Sequence, residues 1–191
     1  MPGIDRITLV SAMRRLSIEA GGVIMQTYES DDFGVRQKSD ASPVTEADEA
    51  ADRLISDELR REFPDLPLVT EEQSGTHNLD ARTFLIVDPL DGTKEFVNRR
   101  GDFTVNIALV ENGVPVLGVV YAPAKRRLFL TGADGGAVEE TGALAPDVVG
   151  ESRVLAVSAP DNTAVSYTHL TLPTKIGEWG ARGGGGGGGG G

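Results

Sequence analysis

The chain has no cysteine. Disulfides, thiolate-bound zinc and iron–sulfur clusters are therefore excluded, and the absence suits a cytosolic address. Histidine is nearly missing as well: there are two, and one of them, His169, sits in the C-terminal tail. Positive charge is in deficit, with 18 Lys and Arg against 29 Asp and Glu, a net charge of −11. Binding to a nucleic-acid polymer draws on stripes of Lys and Arg that displace counterions, so this composition argues against such a partner. It leaves peripheral membrane association open and does not specify an oligomeric state. No apolar run is long enough to span a bilayer. The opening "MPGIDRITLVSAMRRL" is interrupted by Asp5 and Arg6 where a secretory signal would be apolar. A cytoplasmic location is expected.

What remains is ordinary material for a globular fold, 39% hydrophobic and 25% charged over 191 residues. Leu9, Met13, Leu16, Ala20, Ile24 and Tyr28 recur at three-to-four spacing and predict a helix over residues 4–29, with Gly21-Gly22 as its weak point. A second helix is marked by Thr45 and Asp48 at capping-box spacing, by the ridge Ala47, Ala51, Leu54, Ile55, Leu59 and Phe63, and by Pro64 as a stop. "LPLVTEE" and "TFLIVD" read as short strands ending in acid. "DFTVNIALVENGVPVLGVVYAP" reads as a hairpin about Asn112-Gly113, and "RLFLTGADGGAVEE" as another. Helices first and antiparallel strands afterwards predict an α+β fold.

The organisation expected is an N-terminal α+β unit over residues 1–150, followed by the opening strand of a second unit in "RVLAVSAP" over 151–164. Residues 165–191 change character and end in nine glycines. Val165–Thr174 translates a run resembling a transposon-type sequencing adapter, and the polyglycine end resembles repeated G calls after signal loss. This tail is read as non-native, without the apolar surface to fold.

The acidic residues at element ends are Asp48, Glu71, Glu72, Asp88 and Asp91. Strands ending side by side would bring Glu71 to Asp88, and a turn through Pro89-Leu90 would swing Asp91 back toward Asp88. Three clustered carboxylates repel unless neutralised, and a divalent cation is the simplest neutraliser. Oxygen-only donors favour Mg²⁺, with Mn²⁺ as an alternative, over zinc. Gly92-Thr93-Lys94 would open a short helix whose N–H groups can meet a phosphate. Simpler roles stand beside these. Asp48 is equally a helix cap, Asp88 and Asp91 can be turn residues, Glu72 a solvated side chain, and Lys94, Arg99 and Arg100 a solvated face. Lys38 and His77 read as surface loop residues. An aspartyl-nucleophile phosphatase of the haloacid-dehalogenase type needs D-x-D-G-T, whereas "DPLDGT" is D-x-x-D-G-T.

Taken together, "SDASPVTEADEAAD", "LVTEE" and "VDPLDGTKEFVNRRGDFTVNIALVENGVPVLGVVYAP" resemble the inositol monophosphatase superfamily, in its branch of 3′(2′),5′-bisphosphate nucleotidases. The resemblance implies the N-terminal half of a layered α/β/α/β/α sandwich, two helices packed on an antiparallel sheet. It also implies a Mg²⁺-dependent phosphatase, with two or three ions per site and inhibition by Li⁺, that removes the 3′-phosphate of adenosine 3′,5′-bisphosphate, a small phosphorylated nucleotide. Under it Glu71, Asp88, the carbonyl of Leu90 and Asp91 hold metal. Asp48 and Thr93 activate water, and Glu71, Leu90, Asp91, Gly92 and Thr93 surround the phosphate. The superfamily's later W-D-x-A-G segment, source of a further metal-binding aspartate, has no match here, since the one tryptophan, Trp179, precedes Gly180. The chain is accordingly expected to be a truncated, inactive part of such an enzyme. An inositol or sugar monophosphatase, and a non-catalytic weak Mg²⁺-binding fragment, are the alternatives.

Overall fold

Asp5 starts the first helix. Its carboxylate accepts hydrogen bonds from the backbone N–H groups of Ile7 and Thr8 at 3.1 and 3.4 Å, filling two donors that a helix start leaves open. The resulting helix α1 covers Arg6–Tyr28, and α2 covers Pro43–Glu62. This computed structural model describes residues 5–30, 43–76, 81–132 and 134–155, without the side chains of 43–45 and 74. Lys38, His77 and the whole of 156–191, including the expected tail, lie outside the described residues.

Most of the expected ridge positions are buried, while Tyr28, Leu54 and Phe63 are partly buried and pack against the core. Leu9, Met13, Leu16, Ala20 and Ile24 on α1, and Ala47, Ala51, Ile55 and Leu59 on α2, are all essentially solvent-free. One detail differs. α2 begins at Pro43, two residues before Thr45, because proline's fixed φ suits a first turn and its missing N–H costs nothing there. Asp48 therefore lies within the helix rather than at its cap.

Seven strands follow: β1 Leu68–Thr70, β2 Thr83–Asp91, β3 Thr104–Glu111, β4 Val114–Ala122, β5 Arg127–Thr131, β6 Ala137–Thr141 and β7 Glu151–Leu155. They form one sheet in sequence order. A short helix α3, Thr93–Val97, stands between β2 and β3. Among the described residues the fold is α+β, three α-helices with a seven-stranded sheet, but the sheet is mixed and not wholly antiparallel. β1 runs parallel to β2, Thr70 opposite Val87, and the segment joining them is about the dozen residues that a parallel crossover needs. The β3–β4 hairpin turns at Asn112 (φ 51°) and Gly113 (φ 79°), as the dipeptide indicated. β7 pairs with β6 from Ala137–Leu155 to Thr141–Glu151. The sheet thus continues across residue 150, with "RVL" in its last described strand.

The main core lies between the helices and one sheet face, where Leu85, Val87, Leu90, Val105, Ile107, Leu109 and Val119 meet α1 and α2. A smaller cluster of Val69, Ile86, Ala108 and Val110 occupies the opposite face. α1 packs tightly on β4 at Gly21, where a Cβ would run into the Tyr121 ring and come within 3.2 Å of Pro123 Cβ. Arg14, buried on α1, forms an ion pair of 2.8 Å with buried Glu140 on β6. It also donates to the carbonyls of Ala145, Pro146 and Val148, so one guanidinium ties the β6–β7 loop to the helix layer.

Candidate active site at the ends of β1 and β2

Parallel pairing sets the first relationship. Because β1 and β2 run the same way, their C-terminal ends open on the same edge. The Glu71 N–H donates to the Val87 carbonyl at 3.1 Å, which places Glu71 beside Asp88, and the two carboxyl groups are hydrogen-bonded.

The second relationship comes from a bulge. Asp88 lies opposite Asn106 and Asp91 opposite Thr104, so three steps along β2 match two along β3. Asn106 and Thr104 share a face because side chains alternate along a strand, and Asp88 and Asp91 therefore share it too. The extra residue also lets Val87 and Leu90, likewise three apart, both enter the helix-side core. Pro89 sits in the bulge, where its missing N–H is tolerated. The expected turn through Pro89-Leu90 is thus absent: β2 continues to Asp91, and the bulge brings the two aspartates to one face.

Gly92 then reverses the chain at φ 90°, and a Cβ there would lie 2.7 Å from the Asp102 carbonyl oxygen and 3.2 Å from Phe103 Cα. Only glycine meets both conditions without strain. Thr93, exposed, begins α3. Phe96 fixes α3 from behind, packing on Phe103 with ring centroids 5.1 Å apart and on Tyr28 at 5.3 Å. Arg99 is more than a solvated residue. Its guanidinium lies 5.0 Å from the Tyr28 ring centre and donates to the Ser30 carbonyl at 3.1 Å.

Asp48 reaches the same acidic group from α2. It is 9% exposed, and its Oδ1 has no hydrogen-bond partner. Burial, then the neighbouring Glu72, Glu71 and Asp52, raise its pKa to about 8. Asp88, 5% exposed, is raised to about 8 by burial first, then by Glu71, Asp91 and Asp48. The four carboxylates singled out from the sequence thus form one electrostatic group, Asp48, Glu71, Asp88 and Asp91, and Glu72 adjoins it through Asp48.

Two features escaped sequence reading. Asp52, buried one turn beyond Asp48, accepts from Gln73 Nε2 at 2.6 Å and from Ser56 at 3.2 Å, while Arg60 donates to Gln73 Oε1 at 2.7 Å. These bonds tie the segment after Glu71-Glu72 to α2 and set its distance from Asp48. The i,i+4 repeat of Asp48 and Asp52 was the available signal. Asn106 is 3% exposed, and its amide nitrogen has no partner. An unsatisfied buried donor of that kind costs about 1–3 kcal/mol. Its signal was a lone amide in the apolar run "TVNIALV".

Among the described residues, no three acidic or histidine side chains converge as a ready-made ligand set. The donor chemistry nevertheless fits a hard divalent cation: every candidate donor is an oxygen, Asp48 Oδ1 is unpartnered, and a cation would offset the burial and the mutual repulsion that raise Asp48 and Asp88.

Comparison with known proteins places the chain in a family. Residues 5–174 match the inositol monophosphatase family, a span that takes in residues 165–174 of the tail. The chain belongs to that family. Within it, the chain is 46% identical over 129 residues to the 3′(2′),5′-bisphosphate nucleotidase CysQ of Escherichia coli K12, covering 66% of this chain and 52% of that protein. The crystal structure of CysQ from Bacteroides thetaiotaomicron superposes with a TM-score of 0.65 at 38% identity, over 74% of this chain and 52% of that one. Inositol monophosphatase from Anabaena gives a TM-score of 0.55 at 28% identity, over 70% and 45%. The chain spans about half the length of the curated relatives it matches.

Proposed function

We propose that this chain carries the Asp48–Glu71–Asp88–Asp91 portion of a Mg²⁺-dependent phosphomonoesterase acting on adenosine 3′,5′-bisphosphate in the cytoplasm. Water is added across the 3′ P–O bond, giving AMP and inorganic phosphate, with a proton ending on the departing 3′ oxygen. The observation that carries the proposal is the bulge that turns both aspartates of "DPLDGT" to one face beside Glu71. Greater similarity to CysQ nucleotidases than to inositol monophosphatase supports the nucleotide over an inositol phosphate.

Glu71, Asp88, Asp91 and the Leu90 carbonyl would hold the cation. When bound, that cation supplies Lewis-acid activation of water and stabilises charge on the phosphoryl oxygens. Asp48 and the Thr93 hydroxyl orient the attacking water, and Asp48, with its free Oδ1, accepts a proton from it. Gly92 leaves the approach to Thr93 open for a phosphate, which Glu71, Leu90 and Asp91 would border. The 191-residue sequence contains no W-D-x-A-G segment, so by itself the chain is expected to bind Mg²⁺ weakly and to be inactive.

The test is phosphate release from adenosine 3′,5′-bisphosphate and from inositol 1-phosphate, each with Mg²⁺, by a longer protein containing this sequence and by the 191-residue chain. Faster release from the inositol ester would overturn the substrate, and activity unchanged by Asp88→Asn would overturn the site.

A further inference from the structure

The metal site has a neighbour whose role the reaction scheme leaves open. Asn106 lies at the centre of β3, directly opposite Asp88 on β2 and Val120 on β4. Directly paired residues project from the same face of a sheet with Cβ atoms about 4.5–5.5 Å apart. Along its own strand, Asn106 shares that face with Thr104 and Ala108. Val120 and Ala108 offer no side-chain acceptor, and Thr104 is not bonded to the amide nitrogen, which is buried and unpartnered. Among these neighbours, Asp88 is the one carboxylate, and it is the direct cross-strand partner of Asn106. Asp88 itself is engaged by Glu71 on its other flank.

We infer that Asn106 is a positioning residue for Asp88: its side-chain amide donates to one carboxylate oxygen when Asp88 turns to hold the cation, leaving the other oxygen for the metal. The inference deepens the proposed function and rests on it. An amide suits the task better than either alternative. A cationic donor would compete with the metal for Asp88, and a hydroxyl on a shorter side chain would reach less far. The arrangement also accounts for a polar residue in the middle of an apolar strand, where an amide without a partner has no structural use. Groups that hydrogen-bond a ligating carboxylate fix its orientation, and losing them typically weakens metal affinity 10- to 100-fold.

The experiment titrates Mn²⁺ into the 191-residue chain and follows free Mn²⁺ by electron paramagnetic resonance, alongside thermal melting without added metal. Asn106→Leu removes the donor at nearly constant shape, Asn106→Ser keeps a shorter donor, and Asp88→Asn serves as the site control. The expected result is a 10- to 100-fold weaker Mn²⁺ affinity for Asn106→Leu, a smaller loss for Asn106→Ser, and a metal-free melting temperature for Asn106→Leu equal to or above that of the parent. The last readout separates positioning from packing, because removing an unsatisfied buried donor does not weaken the metal-free fold. Parent-like Mn²⁺ affinity in Asn106→Leu overturns the inference, as does an equal loss in both Asn106 variants accompanied by lower melting temperatures. Failure of the proposed function looks different: the parent and Asp88→Asn then bind Mn²⁺ equally or not at all, and the inference falls with it.

Discussion

Asp88 and Asp91 stand on the same face of β2 although three residues separate them, because their partners on β3, Asn106 and Thr104, are only two apart. A strand without the extra residue would keep one aspartate on this face and send the other into the core occupied by Val87 and Leu90. Deleting Pro89 should restore regular alternation and rotate Asp91 away. The expected outcome is loss of the Mg²⁺-induced rise in melting temperature; an unaltered rise would show that the bulge does not place Asp91.

Gly92 meets a conformational and a steric condition at once. Gly92→Ala should destabilise the chain by about 1–3 kcal/mol, the usual scale for a non-glycine residue held in a strained backbone region. Urea denaturation would measure it. An unchanged midpoint would mean that the Asp102–Phe103 backbone yields at no cost.

Arg14 and Glu140 form a buried pair, and removing one partner leaves the other charged and uncompensated. Arg14→Ala or Glu140→Ala should each lower stability by about 3–5 kcal/mol, whereas the double replacement Arg14→Met with Glu140→Leu should cost less than either. A double variant as unstable as the single ones would indicate that the three loop carbonyls, not the ion pair, carry the effect.

The pH dependence follows from Asp48 and Asp88. Both are raised from 3.8 to about 8, so the fold favours their neutral forms. Their contribution to stability is full below pH 3.8 and is lost as pH climbs toward 8, since ionising them then sets like charges together in a buried place. Without divalent cation, the melting temperature should therefore decline between pH 5 and pH 8. Mg²⁺ should raise it more at the upper end, where the carboxylates are free to accept metal. Equal Mg²⁺ stabilisation at both pH values would separate these two residues from metal binding.

Much of the architecture was legible because it is local. The 3.6-residue ridges of α1 and α2, the Asn112-Gly113 turn and the strand-like runs of β3 to β6 are encoded within a few residues of where they act, and "DPLDGT" marked the candidate site by residue type and spacing. Sequence by itself thus determined the helices, the hairpins, the candidate acidic residues and the absence of thiol chemistry. Only the tertiary structure decided that β1 runs parallel to β2, that a bulge rather than a turn joins Asp88 to Asp91, that Gln73 is held against Asp52, and that Asn106 faces Asp88. Each of these depends on which strand or helix lies alongside another. Pairing direction and register are set by how whole elements bury their apolar faces together, and no short stretch of sequence contains that information.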